Sequence, residues 1–290
     1  MFHSSFSRLI AGTMNWGAWG KNLSSKAMAD LISCCVSNGI TTFDHADIYG
    51  GYTTEAAFGS AFPLTGLDRS KVQLITKCGI QYPCDSRPLK VKYYDYTSSY
   101  IIESVAQSLK NLNTDYLDLL LLHRPSPLMQ PEEIAKTVIS LQESGKIKSF
   151  GVSNFNCNQT ALLDKFIEIS ANQIQFSITH LDPLTDGSFD YMMLNDIIPM
   201  AWNPLGNVFL ESGVQNNRIL AALEELSDSY NTTPEILLLS WILHHPAKIH
   251  PVFGTTNPKR IDSLPKALKI IWKTEDWFYL WVASRGVKVP

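Results

Sequence analysis

Ala11-Gly12-Thr13-Met14-Asn15-Trp16, overlapping the end of a strand-like run over 7–13, is the stretch that decides between two architectures. A doubly wound sheet that binds nucleotides carries G-x-G-x-x-G or G-x-x-x-x-G-K-[ST] after a strand, so that bare backbone can approach a phosphate. Neither pattern follows this strand or any later one. Outward from it, apolar runs of strand length alternate with segments of helical period almost to the end of the chain. The strand candidates are 7–13, 39–44, 72–77, 116–123, 147–153, 172–176, 198–202 and 249–254. Eight βα units suit a closed barrel, because parallel strands joined by helices must be covered on both faces. The expected fold is therefore α/β, a (β/α)8 TIM barrel forming a single domain over 1–290, with the doubly wound sheet as the runner-up.

Helix signals fall in the gaps between these runs. Ser24 precedes 26–38, Thr97 to Ser99 precede 101–112, Pro131 opens a segment ending at Gly145, and Asn156 with Gln159 forms a capping box. Gly39 and Gly145 stand where a helix C-terminus calls for positive φ. Asn257-Pro258 reads as a cap followed by a first-turn proline. Two helices are extra to the eight units: one over 235–244 after the seventh, opened by Thr233-Pro234, and a closing one over 275–284. In the closing helix Trp277, Leu280 and Trp281 share a face, which reads as packing against the barrel wall.

Composition narrows the function. Lys and Arg number 24 against 27 Asp and Glu, for a formal charge of -3, so no excess of positive charge speaks for nucleic acid or an anionic membrane. A small-molecule partner is expected, and nothing in the pattern sets an oligomeric state. The first ten residues lack the apolar core of a secretory signal, and no run approaches the ~18 apolar residues of a membrane span. A cytoplasmic protein is expected. Five cysteines with no C-x-x-C spacing read as buried or incidental thiols.

In a TIM barrel, chemistry collects at the C-terminal ends of the strands. The second strand ends in Asp44, the third in Lys77, the fourth in His123 and the fifth in Ser153-Asn154, while Gln173 lies in the sixth. Tyr49 follows Asp44 by five residues. A free phenol titrates near ~10 and gains acidity only if its anion is stabilised, which a nearby ammonium such as that of Lys77 supplies. Asp44 would hold Lys77 by an ion pair, and a neutral His123 could orient a carbonyl by a hydrogen bond. Such a site would protonate an oxygen while something else delivers hydride to the carbon.

Phe43-Asp44-x-Ala46-x-x-Tyr49-Gly50, Thr76-Lys77, the run from Tyr116 to His123, Gly151-Val152-Ser153-Asn154-Phe155, Asn172-Gln173 and Pro204-Leu205-Gly206 occur in this order. Over about Leu9 to Lys269 the sequence thereby resembles the aldo-keto reductases. The resemblance implies a metal-free tetrad of Asp44, Tyr49, Lys77 and His123, with Tyr49 the acid for carbonyl reduction. It also implies a nicotinamide bound through Ser153, Asn154 and Gln173 and stacked on Trp202, with Asn203 and Leu205 nearby. Gly254, Thr255, Thr256 and Arg260 would meet the far end of the cofactor. There a guanidinium matches a 2′-phosphate, which favours NADPH over NADH. Ser263-Leu264 stands where many members carry an acidic or amide pair for adenine.

Other readings compete. Asp47 reads as a local turn or cap residue and His45 as structural. Asn15, Trp16 and Trp19 either line an apolar substrate wall or merely close the barrel mouth. The long segment 78–98, with Tyr82, Arg87, Tyr93, Tyr94 and Tyr96, is a candidate specificity loop, and Tyr82 is assigned to the substrate pocket. The family fold also serves as a cofactor-holding auxiliary subunit of potassium channels, a rival disfavoured by the expected lack of a long N-terminal extension. A metal-dependent barrel hydrolase would gather Asp44, His45, Asp47 and His123, yet no H-x-H or H-E-x-x-H occurs.

Overall fold

In the computed structural model, which describes residues 6–289, the chain runs through β1 (Ile10–Gly12), α1 (Ser25–Ser37), β2 (Thr42–Asp44), α2 (Tyr49–Tyr52), α3 (Thr54–Ala61), β3 (Gln73–Cys78), β4 (Ile80–Gln81), β5 (Tyr93–Tyr94) and α4 (Ser98–Leu112). It continues through β6 (Leu117–Leu122), α5 (Pro131–Glu143), β7 (Ile147–Ser153), α6 (Cys157–Asp164), β8 (Ala171–Gln175), α7 (Ser188–Leu194), β9 (Ile198–Trp202) and α8 (Val214–Ser229). Last come α9 (Pro234–Leu243), β10 (His250–Phe253), α10 (Pro258–Ser263) and α11 (Thr274–Arg285). Residues 1–5, half of the stretch read for a secretory signal, lie outside the described residues, as does 290.

Eight strands close a barrel in the order β1-β10-β9-β8-β7-β6-β3-β2, every neighbouring pair parallel. The α/β barrel expected from the alternation is the fold observed, with α9 and α11 as its two extra helices. Among the described residues no helix is long and apolar enough to cross a membrane.

Side-chain parity explains the core. In β6, Leu119 and Leu121 join Ile10, Ile75, Ala171, Met200 and Val252 inside the barrel, while Leu120 and Leu122 face the helical layer. α1 shows how that layer is built: Ser24 caps it by accepting from the Ala27 N–H, and Met28, Leu31, Ile32 and Cys35 repeat at helical spacing on the buried face. Burial of each large side chain contributes roughly 1.5–3 kcal/mol. The helix stops where Gly39 takes φ +73°. The closing helix is held by a reciprocal pair, with Trp241 and Trp277 stacked at 4.7 Å and each indole N–H donating to the other's carbonyl at 3.1 Å. Packing is thus its role.

The strand expected over 7–13 is shorter. Ser7 joins its neighbour through its hydroxyl, which accepts from the Thr41 and Thr42 N–H groups, and through its own N–H, which donates to the Thr42 hydroxyl. Those bonds replace a backbone ladder. The expected start at 39 fails because the positive φ of Gly39 is a helix ending. Segment 78–98, expected as a loop, contains the small antiparallel hairpin β4–β5.

Trp16 corrects an expectation. It is fully buried against Phe43 and Phe58, with ring centroids 6.1 and 6.3 Å away, and so belongs to the outer core rather than to a substrate wall. Trp16→Ala should therefore cost about 3–5 kcal/mol in urea unfolding. A cost below about 1 kcal/mol would contradict its place in the core.

Candidate active site

Strand parity also builds the site. Two residues beyond Ile10, Ile75, Leu121, Ala171, Met200 and Val252, the same inward face carries Gly12, Lys77, His123, Gln173, Trp202 and Gly254. Asp44 and Ser153 complete the ring from β2 and β7. Gly12 and Gly254 add no side chain to this layer, which leaves open one side of a cavity of about 850 Å³.

Lys77 is 1% exposed, and its ammonium lies 2.7 Å from each Asp44 oxygen, 2.8 Å from the His45 carbonyl and 3.3 Å from the Tyr49 hydroxyl. Gln173 donates to Asp44 Oδ1 at 2.8 Å. Burial acts to lower the lysine pKa, but Asp44 and Tyr49 outweigh it and the value is raised. Lys77 therefore stays charged. Tyr49 opens α2, and Gly50 and Gly51 follow it with φ of +63° and +66°. A side chain at Gly50 would meet the Thr54 hydroxyl 2.6 Å from its Cβ, so the turn that presents the phenol depends on glycine.

The direction of the Tyr49 shift differs from a simple lysine effect. Burial pushes the phenol up, the nearby Lys77 ammonium pulls it down, and the net value is raised. His123 is held well below its ordinary pKa, first by burial and then by Lys77, Arg124 and Lys92. It is a neutral imidazole at neutral pH, with a buried Nδ1 that has no hydrogen-bond partner.

Asn15, Asp44, Tyr49, His123, Ser153, Asn154, Gln173, Trp202, Asn203, Leu205, Gly254, Thr255 and Arg260 all line the cavity. Thr256 does not, and Lys77 sits behind Asp44 and Tyr49. Tyr82 borders a smaller cavity with Trp19, Ile48 and Lys92. Of the two tryptophans after β1, it is Trp19 that faces the site, its ring 6.2 Å from Tyr49 and 5.3 Å from Tyr82. Among the loop tyrosines, Tyr96 is instead buried, its hydroxyl donating to the Arg124 carbonyl at 2.5 Å. Arg124 and Lys92 also line the cavity and were not singled out from the sequence. For Arg124 the signal was its place directly after the strand-end histidine.

The side chains of Ser153, Asn154 and Trp202 are locked together: the Ser153 hydroxyl donates to the backbone carbonyl of Gln173 at 2.8 Å, Asn154 Nδ2 to Ser153 Oγ at 2.8 Å, and Trp202 Nε1 to Asn154 Oδ1 at 2.9 Å. The apolar Ile236, Leu239 and Leu264 line the same cavity, as do Lys259 and Arg260. This lining offers amide-bonding groups, apolar contacts and positive charge to one ligand. α10 has six residues and the Asn257 side chain already accepts from the Lys259 N–H, so attraction for the anion rests on the two cationic side chains.

His45 is structural: Nδ1 bonds the Thr13 hydroxyl at 2.9 Å, and burial brings its pKa down to about 3. Asp47 lies in the turn before Tyr49, as expected, and it also has a tertiary role. Its carboxylate is buried and accepts from the Tyr100 hydroxyl at 3.1 Å and the Ser104 hydroxyl at 3.2 Å, tying the Tyr49 turn to α4. The described residues hold no cluster of three or more His, Cys, Asp or Glu placed to bind a metal ion, the donor set a metal-dependent hydrolase would need.

Residues 8–281 match the model of the aldo/keto reductase family. The chain belongs to that family. This aldo/keto reductase is 40% identical over 291 residues to the uncharacterized oxidoreductase YcsN of Bacillus subtilis, covering 98% of this chain and 96% of that protein. It is 40% identical over 261 residues to a 6-dehydroglucose reductase of Agrobacterium fabrum, covering 89% and 88%. The fold is shared with a glycerol dehydrogenase of Gluconobacter oxydans at a TM-score of 0.86 and 19% identity, over 98% of this chain and 94% of the other. It is shared also with a Klebsiella pneumoniae aldo/keto reductase in complex with NADP and acetate, at 0.77 and 22%, over 93% and 89%. The aldo/keto reductase is thus an NAD(P)H-dependent oxidoreductase of the kind that acts on small carbonyl compounds.

Burial, followed by the charge of Glu55, pushes the Asp47 carboxyl up to about 7 from 3.8. The folded protein keeps this proton between those values while the unfolded chain releases it, so stability present below 3.8 is lost as pH rises through about 7. The window corresponds to at most about 4 kcal/mol at ~1.4 kcal/mol per pH unit. Asp47→Asn should therefore gain Tm relative to the parent as pH rises from about 4 to about 8. A difference in Tm that is constant with pH would contradict the assignment.

Proposed function

We propose that this protein reduces an aldehyde or ketone to the alcohol with NADPH, Tyr49 supplying the proton. The observation that carries the reading is the buried chain from Asp44 through Lys77 to Tyr49, opening on a cavity that Lys259 and Arg260 also line. When bound, the reduced nicotinamide supplies hydride from its C4; the remaining work falls to side chains of this chain.

Burial keeps the Tyr49 phenol protonated through neutral pH, so it is present as an acid. Lys77, 3.3 Å away, stabilises the phenolate that forms as the proton leaves. Asp44 holds Lys77 in place and keeps the lysine charged. Neutral His123 donates a hydrogen bond from Nε2 to the carbonyl oxygen, the tautomer that leaves its buried Nδ1 as a lone pair. Ser153 and Asn154, linked to each other, and Gln173, whose side chain is held by Asp44, offer amide-bonding groups for a carboxamide, and the Trp202 ring would stack on the nicotinamide. Arg260 takes a 2′-phosphate, which favours NADPH. The relative named for reducing 6-dehydroglucose supports a carbonyl substrate.

Tyr49→Phe should bind NADPH within about threefold of the parent by fluorescence quenching, yet lose about 10²–10⁴-fold in kcat/KM for aldehyde reduction. Substantial residual turnover would sink the proton-donor role. Arg260→Ala should weaken NADPH about 10–100-fold and leave NADH nearly unchanged, the worth of a charge-assisted bond. Equal effects on the two cofactors would remove the case for a 2′-phosphate site.

A further inference from the structure

The cavity carries two sets of cations, and the cofactor reading uses only one. Lys259 and Arg260 follow β10, whereas Arg124 follows β6, which stands four strands from β10 in either direction around the ring. Lys92 precedes β5 in the insertion after β3, the strand next to β6. Lys92 and Arg124 both line the cavity that holds Tyr49 and His123.

Among the described residues neither cation has an acidic partner within ion-pair distance. The ion pairs among the described residues are Lys26–Asp30, Arg69–Asp118, Lys77–Asp44 and Lys148–Asp118. The guanidinium of Arg124 lies 5.6 Å from the centre of the Trp202 ring. Two carboxylates line the cavity: Asp44, already bound by Lys77, and Glu235, on α9 between β9 and β10 and so on the cofactor side. The substrate side therefore carries uncompensated positive charge, which His123 feels from both residues. Trp19, Ile48 and Tyr82 add apolar and aromatic walls beside Lys92.

We infer that Lys92 and Arg124 form an anion subsite, so that the preferred substrate is a carbonyl compound carrying a second, anionic group, a carboxylate or a phosphate. This rests on the carbonyl-reductase reading above. The reacting carbonyl meets Tyr49 and His123 while the anionic group meets Lys92 and Arg124, with the body of the substrate along Trp19 and Ile48. A partly exposed site of this kind weakens as salt shortens the range of charge.

The test compares kcat/KM at saturating NADPH within two matched pairs, 4-carboxybenzaldehyde against benzaldehyde and glyceraldehyde 3-phosphate against glyceraldehyde. The anionic member of at least one pair should be favoured about tenfold or more, the pair identifying carboxylate or phosphate. That ratio should fall toward one in Lys92→Glu, and in the parent as salt is raised from about 20 mM to about 500 mM. Equal values within both pairs overturn the subsite, as does a Lys92→Glu loss that falls equally on both members. Reduction of none of the four compounds would instead sink the carbonyl-reductase reading, and this inference with it.

Discussion

An ammonium taken almost wholly out of water inside a barrel is the constraint on which this site depends. Desolvating Lys77 is expensive, and only close pairing with full hydrogen bonding offsets it. Lys77 has three N–H donors and four acceptors within reach: both Asp44 oxygens, the His45 carbonyl and, at the longest distance of 3.3 Å, Tyr49. The phenol is thus the marginal partner of a lysine satisfied elsewhere. That is a useful state for an acid: burial keeps its proton on, and a cation is already in place when the proton departs.

The barrel makes this placement possible through parity. On six strands the inward position below the site is apolar, with Thr42 and Gly151 at the corresponding places below Asp44 and Ser153, and the inward position two residues on is a polar group, an aromatic ring or a glycine. Rigidity comes from behind. Asp47 ties the turn bearing Tyr49 to α4, and the Asp47 N–H donates to the Lys77 carbonyl at 3.0 Å. The turn bearing Tyr49 and the strand carrying the lysine are therefore fastened to each other by backbone as well as by side chains.

Much of this was legible before the structure. Buried parallel strands are continuous apolar runs, so β6 and β9 stand out, and the residue closing each run is by geometry at the mouth. What was not legible lacked periodicity. Trp16 and Trp19 lie three residues apart in an irregular turn, and nothing local tells which faces the core. Strands β4 and β5 have two residues each, too short for an alternation to register. Asp47 is the turn residue it looked like, and its second role was hidden because its partners Tyr100 and Ser104 lie 53 and 57 positions away. Lys92 and Arg124 carried no periodic sequence pattern that would single them out, since a loop cation is usually solvated.

If the buried lysine is what makes Tyr49 an effective acid, replacing it with an uncharged residue of similar length must affect chemistry and spare binding. The direct measurement is single-turnover hydride transfer in Lys77→Met, with NADPH affinity determined alongside. The account predicts a rate lower by about 100-fold or more with NADPH binding within about threefold. A transfer rate within a few-fold of the parent would contradict it.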